Sequence, residues 1–272
     1  MPRSFSVSKE AATIVRPLSL SVVALTAGAL AMAAGGLRDI GPPLAGLLAV
    51  VAGVSIWRVW QEVGHLCLQS HDTHKAAREA ERHYIEVLRR MMHIVEAREA
   101  YAEGHSERIG RMSAAIASRL GLSDDTCEML RLAGELHDIG LLAIPEGVLN
   151  THSRYSASEF RTVQRHSEVS YEILLPLESL REVLPAIRHH HERMNGTGYP
   201  EGLAGEGIPL GARIIAVADA YDAMTHDRPH RAAMAPLDAV RELRRCTPEG
   251  YDGQCVETLA QILRAGDLAE VM

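Results

Sequence analysis

The chain has 272 residues, with 28 Lys and Arg against 35 Asp and Glu, a formal net charge of -7. That acidic balance excludes a nucleic-acid polymer held through bulk charge, and 47% apolar residues exclude a chain disordered throughout. Aromatic residues make up only 4% while histidines number 14, so imidazole is the side chain in surplus.

In chain order, residues 1–16 form a short segment carrying Arg3, Lys9 and Arg16. Residues 17–37 contain no charge, and at about 1.5 Å per residue a helix of that length reaches about 31 Å, enough for the hydrocarbon core of a bilayer. A second uncharged run covers 40–57, with Trp57 and Trp60 where an interfacial aromatic belt would lie. The pattern predicts a two-helix transmembrane hairpin over 17–60. Arg3, Lys9, Arg16 and Arg58 place both of its ends in the cytoplasm. Two other readings stay open: a cleaved leader, for which Ala31-Met32-Ala33 resembles a processing site, and a pair of buried core helices.

Residues 61–94 read as a coiled-coil-like helical connector. Ala77, Ala80, Tyr84, Val87, Met91 and Ile94 recur at alternating spacings of three and four, with Glu79, Glu81, Arg82, Glu86, Arg89 and Arg90 between them. The seam predicts a parallel homodimer; its packing onto the domain that follows is the alternative. His65, His71, His74, His83 and His93 share no face and read as exposed. Cys67, Cys127, Cys246 and Cys255 form no CxxC pair, which excludes a disulfide framework or a thiolate zinc site and leaves them as small buried side chains.

The residues with metal chemistry begin after Gly104. His105 opens an amphipathic segment with Ile109, Met112, Ile116 and Leu120 on one side. His137 and Asp138 stand together in an apolar segment, where a carboxylate is costly unless paired or metal-bound. His166 follows a polar stretch, His189-His190-His191-Glu192 precedes a turn-rich segment, and Asp219 and Asp222 lie one turn apart on an otherwise apolar helix. Imidazole and carboxylate from several helices, without thiolate, suit Fe, Mn, Zn or Mg.

The strings His137-Asp138-Ile139-Gly140, His190-His191-Glu192, Asn195-Gly196-Thr197-Gly198-Tyr199-Pro200, Val217-Ala218-Asp219 and Arg228-Pro229-His230-Arg231, in this order, resemble the HD-GYP family. The resemblance covers residues 95–263. It implies an all-α HD helical bundle over 95–272 in a bacterial protein, and the predicted hairpin would hold that domain on the cytoplasmic face of the inner membrane. It implies hydrolysis of cyclic di-GMP to linear pGpG, or onward to GMP, at two divalent metal ions, iron or manganese. Carried over by motif, the metal ligands are His105, His137, Asp138, His166, His190, His191 and Asp219, with Asp138 as the bridge and His137 and Asp138 at the chemistry. Tyr199, Arg228 and Arg231 match residues that hold substrate, and His189 falls outside the pattern.

Three departures from the family pattern carry consequences. Leu141 stands where a Lys usually reaches the substrate phosphate, so that cation is missing while the metal-ligand set is kept. Tyr101 replaces the Glu of members with a third metal, so the expectation is a binuclear centre and pGpG. Asn195 replaces Asp, removing a negative charge near the site. Two further readings remain: a non-catalytic cyclic di-GMP receptor or interaction module, and an HD phosphohydrolase acting on another nucleotide.

Overall fold

A computed structural model describes residues 42–97, 104–149, 155–227 and 231–266. The helices are α1 (Pro42–Ala97), α2 (His105–Arg119), α3 (Asp124–Leu136), α4 (Glu146–Leu149), α5 (Ala157–Gln164), α6 (His166–Leu174), α7 (Leu184–Arg188), α8 (Leu210–Thr225), α9 (Pro236–Arg245) and α10 (Gly253–Ala265). Short 3-10 turns lie at Ile139–Ala143, Glu178–Leu180 and Gly205–Gly207. Among the described residues the class is all-α, with extended pairing confined to isolated bridges such as that between Asn195 and Ala204.

Two compact units divide between Ala80 and Glu81. In the first, the described residues are the opening stretch of α1. Residues 17–37, the first predicted span, lie outside the described residues, and the run 40–57 leads into α1. No helix among the described residues is long and apolar enough to cross a membrane, so the predicted hairpin finds no support there. The apolar run does not end as a separate span at Trp60; the same helix continues through Glu62, Asp72 and Lys75 to Ala97.

The second unit is built on amphipathic faces. In α2 Ile109, Met112 and Ile116 turn inward, in α3 Leu130, Ala133 and Leu136, and in α10 Val256, Leu259 and Ile262. Each fully buried Leu or Ile contributes about 1.5–3 kcal/mol. Helix α8 buries Ile214, Ile215, Val217, Ala218 and Tyr221 and is the most enclosed element. Side chains cap the helix starts: Thr126 N–H donates to Ser123 Oγ, Ser156 and Glu159 form a capping box, and Asp252 accepts from Gln254 and Cys255 N–H.

The last turns of α1 also enter this core, through Leu88, Met92 and Val95. That is not the predicted seam. Tyr84, Val87, Met91 and Ile94 remain 39%, 40%, 40% and 62% exposed, so the stripe facing the domain is the one beside the heptad positions. His65, His71, His74, His83 and His93 are exposed as expected. The cysteines are free, but only Cys255 is fully buried, and Cys67 is exposed.

Candidate metal centre

The site is assembled from helix ends. His105 is the first residue of α2, His137 follows the last residue of α3, and Asp138 occupies the bend before the 3-10 turn at Ile139–Ala143. Gly140 lets that bend dock on the start of α6: a Cβ there would lie 2.0 Å from the His166 carbonyl oxygen and 2.7 Å from Ser170 N. Gly140 N–H instead donates to Ser170 Oγ at 2.8 Å. His190 and His191 lie in the turn after α7, and Asp219 on α8.

The tautomers are set by what each Nδ1 meets. Nδ1 of His137 lies 2.8 Å from Gly134 O, that of His166 2.7 Å from Val163 O, and that of His190 2.6 Å from Ile187 O. A carbonyl only accepts, so each Nδ1 carries a proton and donates, and each Nε2 is directed inward. For His105 the partner is the Asp222 carboxylate, at 2.7 Å. This is the usual orientation of metal-ligating histidines, held by a backbone oxygen or a carboxylate behind the ring.

Inward, these atoms converge. His166 Nε2 lies 3.1 Å from His191 Nε2 and 3.4 Å from His190 Nε2. Two imidazole lone pairs at such separations repel unless a proton or a cation stands between them. His137 Nε2 and Asp138 Oδ1 are buried without a well-formed hydrogen bond, although His166 Nε2 is 3.1 Å from that oxygen. Donor atoms of Asp138, His166, His190 and His191 form one group within 4.8 Å, and those of His105, His137 and Asp138 form another. Asp138 belongs to both. Asp219 Oδ1 is 3.7 Å from His105 Nε2. The set fits two divalent cations sharing a carboxylate.

Electrostatics separate these groups. Burial opposes charge on Asp138, yet His137 and His166 hold its carboxyl well below the usual carboxylate range. Burial likewise disfavours His137 as a cation, but the Asp138 carboxylate outweighs it and raises the imidazole to about 9. Burial lowers His190, and burial with His190 and His166 alongside lowers His191 far more. Asp222, also buried, is brought down to about 2 by the hydrogen bonds from His105 and Arg108.

Beside the cluster lies a cleft of about 480 Å³, whose walls include His190, His191, Asp219, Arg193, Arg231 and Tyr251. The Tyr199 ring sits 4.8 Å from the His191 ring, centroid to centroid. Arg231 faces the cleft and donates to the Ala223 carbonyl, whereas Arg228 lies outside the described residues.

A sequence profile described as HD domain matches residues 89–255, more than half of the chain. The chain belongs to the HD domain family. Among curated relatives, the cyclic di-GMP phosphodiesterase response regulator RpfG of Xanthomonas campestris pv. campestris is 35% identical over 66% of this chain and 48% of its own length. The 3'3'-cGAMP-specific phosphodiesterase 3 of Vibrio cholerae is 37% identical over 62% of this chain and 37% of its own. The cyclic di-GMP phosphodiesterase PA4108 of Pseudomonas aeruginosa is 40% identical over 53% and 35%. The chain thus spans about half or less of the length of these relatives. A crystal structure of a cyclic GMP-AMP-specific phosphodiesterase of V. cholerae shares the fold, with TM-score 0.50 and 20% identity over 67% of this chain and 50% of that one.

Within the HD domain, all seven residues expected as ligands lie at or beside one centre, and His189 stays outside both donor groups. Leu141 packs against the hydrophobic core and offers no cation. Asn195 Oδ1 accepts from Thr197 N–H at 3.1 Å and from its hydroxyl at 2.7 Å, a turn-closing role that needs no negative charge. Tyr101 is outside the described residues. The sequence reading missed three residues. Asp222 orients His105; its position one turn after Asp219 was visible, but its partner was not. Glu192, almost fully buried, accepts from Glu201 N–H at 2.8 Å and Gly202 N–H at 3.0 Å and ties down the loop that carries Tyr199. Arg193 stacks over Tyr251, 4.6 Å from its ring centroid, in the wall of the cleft; no motif marks that pair.

Proposed function

We propose that this HD domain is a metal-dependent phosphodiesterase that opens cyclic di-GMP to linear pGpG at a binuclear iron or manganese centre. The observation that carries the reading is Asp138, shared by two donor groups in which His105, His137, His166 and His190 have Nδ1 already committed. His105, His137, Asp138 and Asp219 would hold one ion, and Asp138, His166, His190 and His191 the other. When bound, such a pair activates water near neutral pH and neutralises charge on the phosphoryl oxygens.

The remaining work belongs to the chain. Asp222 and the backbone carbonyls hold the imidazoles so that little reorganisation is needed. Arg231 and Arg228 present planar forks suited to phosphate oxygens, and Tyr199, against His191, offers a ring to a guanine. The relatives support a cyclic dinucleotide as substrate. Those specific for 3'3'-cGAMP support that dinucleotide as a second substrate. Residues 17–60 as an inner-membrane hairpin with the HD domain in the cytoplasm, and residues 61–94 as a dimerising connector, complete the proposal; the uncharged runs and the exposed heptad stripe support them.

The test is hydrolysis by the anaerobically prepared full chain, with iron and manganese quantified in the same sample and products separated. Cyclic di-GMP and 3'3'-cGAMP are offered in parallel. Turnover to pGpG that vanishes in Asp138→Ala is expected. Full metal loading with neither substrate cleaved would refute the enzyme reading and favour a receptor. Extraction of the protein from membranes by alkaline carbonate would refute the hairpin.

A further inference from the structure

Helix α2 starts on Gly104, at φ 71°, and no side chain of its own first turn caps it. The first N–H groups of a helix lack intrahelical partners, and burying them unsatisfied is costly. The missing cap comes from another helix. Glu96, in the last turn of α1 and only 6% exposed, accepts from Ser106 N–H through Oε1 at 2.7 Å and from Gly104 N–H through Oε2 at 3.3 Å. These are the amides on either side of His105. A carboxylate there also meets the positive end of the α2 dipole.

The same stretch of α1 makes a second polar contact next to the centre. Arg89 Nε donates to Glu135 Oε2 at 2.7 Å, and Glu135, buried, lies two residues before His137. Leu88, Met92 and Val95 pack into the hydrophobic core beside these contacts, and a cavity of about 350 Å³ lined by Arg89, Glu96, Ser106 and Glu135 lies between the two. The end of the connector therefore holds both helices that deliver the first donor group.

We infer that Glu96 is a positioning residue for the metal centre, its carboxylate fixing the backbone around His105 and thereby strengthening the hold on the ion that His105, His137 and Asp138 would bind. The inference rests on the metal-centre reading above. A shift of the last turns of α1 would reach the site through the hydrogen bonds Glu96 accepts from Ser106 and Gly104 N–H.

The experiment uses the metal-free full chain titrated with Mn2+ alone, with stoichiometry, affinity and thermal midpoint measured for each variant. Loss of an outer-shell partner typically weakens metal binding by about 10- to 100-fold. Glu96→Ala should weaken one of two Mn2+ equivalents by about 10-fold or more and leave the other within about 2-fold. Glu96→Gln, which keeps one acceptor oxygen where the carboxylate offers two to Ser106 and Gly104 N–H, should recover only part of that loss. Leu88→Ala, which loosens the same helix but keeps the carboxylate, should lower the thermal midpoint with little change in Mn2+ affinity. Equal binding by Glu96→Ala and the unaltered protein overturns the inference while leaving the metal centre intact. An equal loss in Leu88→Ala overturns it in favour of general packing, and no Mn2+ uptake by the unaltered protein overturns it together with the reading it rests on. If Glu96→Ala fails to fold, Glu96→Gln decides: affinity weakened at one equivalent with an unchanged thermal midpoint supports the inference, and unchanged affinity overturns it.

Discussion

Asp222→Asn separates orientation of a ligand from ligation itself. The Asp222 carboxylate is 3% exposed, lies 2.7 Å from His105 Nδ1, and accepts from Arg108 Nε at 2.5 Å and Nη2 at 3.1 Å. Its carboxyl is held at about 2 against an ordinary 3.8, which corresponds to about 2 kcal/mol of folded-state stability. The sign is that of a depressed acid: the contribution is complete above 3.8 and disappears as pH falls through about 2. The Asn variant of the metal-free protein should therefore be about 2–3 kcal/mol less stable to urea at neutral pH. The gap should close as the solution is acidified. Because the amide is a weaker acceptor for the His105 proton, one Mn2+ equivalent should also bind about 10- to 100-fold more weakly. Urea unfolding across a pH series, with Mn2+ titration at neutral pH, measures both. A variant as stable as the parent at neutral pH, with both equivalents unchanged, would refute the account of Asp222 as the group that holds His105.

The other predictions concern the ions and the loop. Asp138→Ala should lose both metal equivalents, whereas His105→Ala should keep one, as read by metal analysis after desalting; equal retention in the two would contradict a shared bridge. His137, raised to about 9 in the metal-free centre, must give up a proton when an ion binds. Metal affinity should therefore rise with pH until about 9 and then level off, and a flat profile by calorimetry would count against His137 as a ligand. Gly198→Ala should leave metal content unchanged and cut hydrolysis by about 100-fold, because its Cβ would fall 2.4 Å from Arg193 N and Glu192 Cα and push the Tyr199 loop off the centre.

What the sequence determined by itself was the chemistry and the class. Composition excluded a basic nucleic-acid surface, the spacing of apolar residues gave helices, and the family resemblance carried by the motif strings named the donor residues. Periodicity also located a stripe on α1, but it could not choose the packed face: Leu88, Met92 and Val95, beside the heptad positions, go into the core because that side meets the domain. Only the tertiary structure decided which carboxylate supports His105, which loop Glu192 holds, and that Glu96 supplies the cap α2 lacks. Each of these contacts joins residues through space by hydrogen bonds between different elements, and such pairings leave no periodic trace along a single chain.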